Sequence, residues 1–329
     1  VRRAGGGGGG LTVPGRAFLQ NLGIKINVKL GGVHTTWDLP PLLGRMFKDR
    51  HTFKDRPTII MGGDSTRSPG TSAIAAVTGT VDETFARFIA RARINGSKDE
   101  KADMKEILVP LKEMAIEILR EFLDINRHKG ITSLSQVERI IFVRDGVSEG
   151  QLNEVLLREV QALIDACLTL TGEWNRPKIT FVVLQKGHKA RIYDSKTRDK
   201  NPESGTLIDD EAATHPTDFN FHLVAHNSIG GKTVRVPNYI VLWDESEFTV
   251  DEIAALMFGL CHLYGYCAMP VSLPPPVMYA HQVAARARMY LAQVDSDAES
   301  SVFSGDGMHD NFAAALPLVH ENVRNEMYW

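Results

Sequence analysis

The sequence predicts an α/β fold, a mixed sheet flanked by helices, and three features carry that prediction. Short apolar runs bounded by glycine or charge recur as buried-strand patterns, among them Thr58-Ile59-Ile60-Met61 and Arg139-Ile140-Ile141-Phe142-Val143. Longer stretches bring their apolar residues back at three- and four-residue steps, the period of a helix with one buried face. The order is three strands first, then helices alternating with strands, which gives a mixed sheet.

Each element has its own pattern. Thr58 to Met61 opens a large domain and ends in Gly62-Gly63. Ser72 to Thr78 and Thr84 to Ile94 read as the next two strands, the second with Phe85, Phe88, Ile89 and Ile94 as its apolar set. Glu100 to Ile125 has the strongest helical pattern, with Ile107, Leu111, Met114, Ile118 and Phe122 in step and Pro110 near the start, where proline is tolerated. Arg139 to Val143 is a further strand and Gln151 to Leu170 a second amphipathic helix. Ile179 to Leu184 and Tyr239 to Trp243 are strands; Val250 to Tyr264 and Ala280 to Tyr290 are helices. Lys196 to Glu211 is charged and aperiodic and reads as a surface loop. No internal repeat is present.

Composition bounds the classes. The chain has 329 residues, 43% hydrophobic and 23% charged, ample for a buried core and more than one compact domain usually needs. No apolar run approaches the length of a membrane-spanning helix, so no membrane partner is expected. The formal net charge of -3 argues against a uniformly basic surface, yet phosphates respond to local fields, and acidic stretches such as Asp295 to Glu299 leave room for a basic groove elsewhere. Cys167, Cys261 and Cys267 are too few for a disulfide framework and fit a reducing compartment. Cys261, His262 and Cys267 lack the second ligand pair that structural zinc requires. The start at Val1-Arg2-Arg3 and the tract Gly5 to Gly10 read as a piece of a longer protein, or one with an unusual flexible leader. The expected division is a leader over 1–17, a short N-terminal part over 18–50 ending in the polar connector Arg45 to Arg50, and one large domain over 51–329.

Two carboxylates stand at strand tips. Asp64 follows the first strand and its glycines, and Asp145 follows the Arg139 to Val143 strand in Val143-Arg144-Asp145-Gly146. Open α/β sheets place their chemistry at the carboxyl ends of strands. On neighbouring strands the pair would face one crevice and suit hard cations such as Mg²⁺, two of which, about 4 Å apart, can activate water against a phosphodiester. Aspartate after a strand also simply suits a turn.

The run Arg144-Asp145-Gly146-Val147-Ser148-Glu149-Gly150-Gln151 resembles the PIWI domain of eukaryotic Argonautes. Further segments agree in order: Lys25 to Gly32, Gly63-Asp64-Ser65-Thr66, Val183-Leu184-Gln185-Lys186, His215-Pro216-Thr217-Asp218-Phe219, Val241-Leu242-Trp243-Asp244, Leu260-Cys261-His262 and Tyr279-Ala280-His281. The resemblance covers residue 18 to the end. It implies a ribonuclease-H-like fold over 51–329, preceded over 18–50 by the end of a MID domain. It implies a small-RNA-guided RNA endonuclease whose tetrad is Asp64, Glu106, Asp145 and His281. Asp64, Asp145 and His281 would hold two Mg²⁺ or Mn²⁺ ions, and Glu106, early in the long helix, would close the site; Glu100, Glu113 and Glu117 compete for that place. Where the family often has Asp-Val-Thr-His-Pro, this chain has Asp64-Ser65-Thr66-Arg67-Ser68-Pro69, which implies altered loop contacts with metal binding kept.

The same resemblance implies capture of a guide 5′ phosphate by Lys25, Lys29 and Arg286. Alternating Ile24, Ile26, Val28 and Leu30 suggests a strand there and the family a helix; four residues apart, the lysines share a face in either. Lys186, Arg191, Arg235 and Ser272 match positions along the guide backbone, with Tyr279 nearby; Tyr266 and Met278 stand where relatives carry arginine and tyrosine. The implied partners are a small guide RNA, a complementary target RNA and silencing scaffold proteins, in the cytoplasm or the nucleus. Two other functions compete: a guide-binding silencing module that recruits partners without cutting, and an unguided ribonuclease-H-like nuclease, which needs no 5′-end pocket.

Overall fold

The structure is a computed structural model. It describes residues 15–37, 57–66, 73–96, 106–172, 175–194, 200–210, 213–227 and 233–298, with 290–298 as backbone alone. The glycine tract, the Arg45 to Arg50 connector, Glu100 and Arg67 lie outside the described residues.

One eight-stranded sheet organises the described residues, in the order β3-β2-β1-β4-β5-β8-β7-β6. Its strands are β1 (Thr58–Thr66), β2 (Ala73–Thr80), β3 (Phe88–Asn95), β4 (Arg139–Asp145), β5 (Lys178–Gln185), β6 (Leu207–Ile208), β7 (Asn220–Leu223) and β8 (Asn238–Asp244). The first three form an antiparallel meander; β1, β4 and β5 run parallel; β8 returns antiparallel to β5. The mixed sheet follows the sequence order, because a hairpin joins antiparallel neighbours and a helix must cross over between parallel ones.

Helices α1 (Arg16–Lys29), α2 (Leu111–Asn126), α3 (Leu152–Val155), α4 (Gln161–Thr171), α5 (Val250–Leu260) and α6 (Pro275–Ala298) complete the fold. Side chains of alternate strand residues separate two cores. Ile59, Met61, Ile140, Phe142 and Phe181 meet the apolar faces of α2 and α4; Ile60, Ile141, Val143, Val182 and Tyr239 meet α5. Burial on both faces is why the central strands read as unbroken apolar runs. The long helix α6 crosses β1, β2 and β3, with Ala280, Val283, Ala284 and Ala287 against Ile74, Ala76 and Ala92.

Several elements depart from the sequence reading. Strand β1 does not end at Gly62-Gly63; both glycines keep ladder partners on each side, so Asp64 lies within the strand, opposite Ala76. Gly62 is a site of close approach rather than a turn: a Cβ there would stand 2.3 Å from the backbone carbonyl carbon of Pro276 at the start of α6. Residues from Thr84 are not yet strand, because Asp82 caps a tight turn in which its Oδ2 accepts from Thr84 Oγ1 at 2.6 Å and Phe85 takes φ +54°. Helix α2 begins at Leu111, so Glu106 lies in the bend before it and not in the helix. Side chains take the backbone groups a helix would have used: Asn95 bonds Ile107 O at 2.8 Å and Val109 N at 2.9 Å, and Glu159 accepts from Leu108 N at 2.8 Å.

The second amphipathic helix is interrupted by a π-turn, Leu156–Val160, between α3 and α4. Helix α5 starts at a capping box in which Thr249 and Glu252 satisfy each other's backbone N–H, and it stops at Leu260, short of Tyr264. In the stretch read as a loop, Leu207–Ile208 forms β6. Around the lysine pair the chain is helical: α1 carries Lys25 and Lys29 on one face, Ile24 and Val28 are half-buried, and Ile26 and Leu30 are exposed.

Candidate functional site

Asp64 and Asp145 stand side by side. Strands β1 and β4 are parallel neighbours whose register pairs Gly63 with Arg144, so the two aspartates occupy the next step on adjoining strands. Both are almost wholly buried, at 4% and 5% exposure. Gly146 then turns the chain with φ +82°, and a Cβ there would sit 3.2 Å from Asp64 Oδ1, so glycine meets both demands. Burial is the main force holding the Asp145 carboxyl above its usual range; Lys186 opposes that rise and Asp64 adds to it.

His281, in the second turn of α6, reaches the same place. Its Nδ1 lies 2.7 Å from Asp64 Oδ2. Thr78 Oγ1 donates to Pro276 O at 2.8 Å and, with the close approach at Gly62, fixes the helix start that carries it. The Asp64 hydrogen bond is the largest cause of a raised imidazole pKa, with burial working against it. Beyond that contact the imidazole is largely exposed, while the Asp64 carboxylate is buried. Lys186, the residue after β5, pairs its ammonium with Asp145 Oδ2. A residue expected along a nucleic-acid backbone thus stands at the acidic pair itself.

Glu106 lies on the same rim, through Ser148 and Arg144. Its Oε2 accepts from Ser148 N at 3.1 Å and from Ser148 Oγ at 2.9 Å. Arg144, wholly buried, donates to the carbonyls of Glu106 and Asp145 and pairs with the equally buried Glu159, Nε to Oε2 at 3.0 Å. One guanidinium therefore holds the backbones of two tetrad candidates. Burial pushes Glu159 up against the pull of Arg144. Glu113 is on α2, and Glu117 pairs with Arg91 and Arg93 on β3. In the sequence the Arg144–Glu159 pair leaves one trace, a glutamate at an apolar position of an amphipathic helix.

A second site lies between α1, the segment after α5, and α6. Lys25, Lys29, Arg286, Asn21, Tyr264, Tyr266, Cys267 and Gln282 line a cavity of about 570 Å³. The three predicted cations thus converge from two helices far apart in sequence. Among the described residues no carboxylate lines the cavity, and none forms a salt bridge with Lys25, Lys29 or Arg286. Three cations around one concavity raise the local positive potential.

The remaining candidates join neither site. Arg191 donates to the carbonyls of Ala190 and His188 at 2.8 and 3.2 Å, Arg235 is exposed, and Ser272 is half-buried. Tyr279 packs inside, its hydroxyl accepting from Gly265 N at 2.7 Å. Cys261, His262 and Cys267 have separate surroundings: Cys261 is buried, His262 faces Phe258 O at 2.9 Å, and Cys267 faces Met269 O at 3.0 Å.

The sequence model of the Piwi domain matches residues 11–292. The chain belongs to the Piwi-domain family. Its mixed sheet is the ribonuclease-H-like sheet of Piwi domains, and the solved structures agree. The C-terminal lobe of a budding yeast Argonaute superposes with a TM-score of 0.75 at 23% identity, over 94% of this chain and 60% of that one. Kluyveromyces polysporus Argonaute with a guide RNA gives 0.75 and 23%, over 94% of this chain and 34% of that one. Drosophila Piwi gives 0.62 and 22%, over 82% and 33%. This Piwi-domain chain therefore spans less than two thirds of each of these proteins, and at such identities the likeness is one of fold. Among the described residues no helix is long and apolar enough to cross a membrane.

Proposed function

We propose that this Piwi-domain chain is the catalytic part of a small-RNA-guided RNA endonuclease that hydrolyses a phosphodiester of the paired target. The observation that carries the reading is the Asp64–Asp145 pair at one register step of adjoining parallel strands, with His281 bonded to Asp64. The donor types suit hard divalent cations: two buried carboxylates, one of which already attracts the Lys186 ammonium, and the imidazole bonded to Asp64. Asp64 and Asp145 would hold two ions, Mg²⁺ or Mn²⁺, with His281 completing the set, and the chemistry such ions supply is Lewis-acid activation of water and stabilisation of the leaving oxygen.

The protein's own groups account for the rest. Arg144 keeps Asp145 and Glu106 on one rim through their carbonyls. Glu106, released from Ser148, would accept a hydrogen bond from the attacking water. Lys186 would move from Asp145 to a nearby phosphate, and Arg191, Arg235 and Ser272 would extend the track for the guide backbone. Such contacts position a strand without reading bases, so target choice falls to guide–target pairing. Lys25, Lys29 and Arg286 would take the guide 5′ phosphate, a group of nearly two charges that suits converging cations. The partners are then a small guide RNA, a complementary target RNA and silencing scaffold proteins, in the cytoplasm or nucleus.

One observation favours a second reading, a guide-binding silencing module that does not cut. Among the described residues the Glu106 carboxylate is engaged by Ser148 and by no other tetrad candidate. A cleavage-register experiment separates the two. Two 5′-phosphorylated guides offset by one nucleotide should cut the same target one nucleotide apart. Tight binding of both guides with no cut would favour the silencing module, and cuts that ignore the offset would favour an unguided nuclease.

A further inference from the structure

The cavity between α1 and α6 contains a donor that charge alone does not reveal. Tyr266 lines it beside Lys25, Lys29 and Arg286. Its ring is held edge-on by two neighbours, at 74° to Tyr264 and 79° to Tyr279, with centroids 5.6 Å away in both cases. The hydroxyls of those neighbours already have partners: Tyr264 Oη accepts from Gln282 Nε2, and Tyr279 Oη accepts from Gly265 N. The Tyr266 hydroxyl has no hydrogen-bond partner among the described residues. A ring packed between two others, its hydroxyl without a partner among the described residues and three cations beside it, is a preorganised neutral donor.

We propose that Tyr266 is a phosphate-binding residue of this cavity, its hydroxyl a fourth donor beside Lys25, Lys29 and Arg286 to the 5′-terminal phosphate of a single-stranded RNA. The proposal rests on reading the cavity as the guide-end site. Burial raises the Tyr266 pKa more than Arg286 lowers it, so the hydroxyl keeps its proton at neutral pH. The cavity, about 570 Å³, is far larger than one phosphate and falls in the size range of small-molecule sites, so a terminal nucleotide fits where a bare anion would leave most of it to water. A neutral donor adds a charge-assisted hydrogen bond without releasing a further counterion, so its contribution does not depend on salt in the way a lysine's does.

Tyr266→Phe keeps the ring and its packing and removes only the hydroxyl. Affinity for one short RNA, carrying either a 5′ phosphate or a 5′ hydroxyl, is measured by fluorescence anisotropy across a salt series. The expected result is a loss of roughly tenfold or more for the phosphorylated RNA, none for the hydroxyl form, and an unchanged salt slope. A nucleoside 5′-monophosphate should displace the phosphorylated RNA from the wild type better than inorganic phosphate does. Equal losses for both RNAs, or no loss for either, would overturn the proposal; so would displacement by inorganic phosphate as effective as by the nucleotide. A wild type that binds both RNAs equally would remove the guide-end reading itself, which the Tyr266→Phe comparison does not address.

Discussion

Glu159→Leu is the sharpest perturbation the interior offers. Glu159 and Arg144 have side-chain exposures of 0% and 0%, and Glu159 also accepts from Leu108 N at 2.8 Å. Removing the carboxylate leaves a guanidinium buried without its counter-charge, which costs about 3–5 kcal/mol, or a factor of roughly 10² to 10⁴ in the folded-to-unfolded ratio. Arg144→Met should cost less, because burial already pushes the Glu159 pKa up and a proton can neutralise it once the arginine is gone. The double variant should therefore be more stable than Glu159→Leu alone, with a coupling of about 2–3 kcal/mol between the sites. Urea unfolding of the four proteins measures all of this. A loss below about 1 kcal/mol for Glu159→Leu, or strict additivity in the double variant, would refute the account of this pair. The double variant should still fold yet cut poorly, since Arg144 also ties the carbonyls of Glu106 and Asp145.

Two other predictions concern packing and protons. Gly62→Ala brings a Cβ to 2.3 Å from a backbone atom of Pro276, so α6 must shift; a loss of about 1–3 kcal/mol in urea unfolding is expected, together with slower cleavage because His281 rides on that helix. An unchanged stability would mean that α6 does not bear on β1 as described. His222 has its pKa lowered from 6.5, chiefly by burial, with the hydrogen bond to Ala213 O opposing and His188 adding to the fall. The unfolded chain then binds the proton first. Its contribution is whole above the unfolded pKa and declines as pH falls through 6.5 toward the folded value. His222→Gln should flatten that decline in unfolding midpoints taken between about pH 7.5 and 5, with the remainder falling to His226, also lowered by burial. An equally steep decline in the variant would assign it elsewhere.

Much of the fold could be read from apolar period alone. The central strands carry buried runs because helices cover both faces, and α2 carries a clean apolar stripe because only one of its sides is buried. Glycine misled at Gly62-Gly63, which marks where α6 presses on β1 and not where the strand stops. Glu106 was misplaced into α2 for a related reason. A periodic pattern cannot register that Asn95 and Glu159, distant in sequence, claim the backbone groups of the preceding bend. Strands β6 and β7 are too short to have a period. At the site, Asp64 and Asp145 were legible as carboxylates near the ends of apolar strands, although Asp64 lies inside β1, and their pairing depended on β1 and β4 being neighbours, a fact of topology. His281 and the Lys25–Lys29–Arg286 set emerged only through the family resemblance. Tyr266 was visible only as a departure from it, and its place in the cavity needed the fold.

The central claim is that Asp64, Asp145 and His281 form a cutting centre directed by a bound guide. The most direct test loads a 5′-phosphorylated guide onto wild-type protein and onto Asp145→Ala, then adds complementary RNA and Mg²⁺. One defined cut by the wild type is expected, lost on chelation and absent in Asp145→Ala at equal guide binding. Cutting by Asp145→Ala at the wild-type rate, or no cut by a guide-loaded wild type, would contradict it.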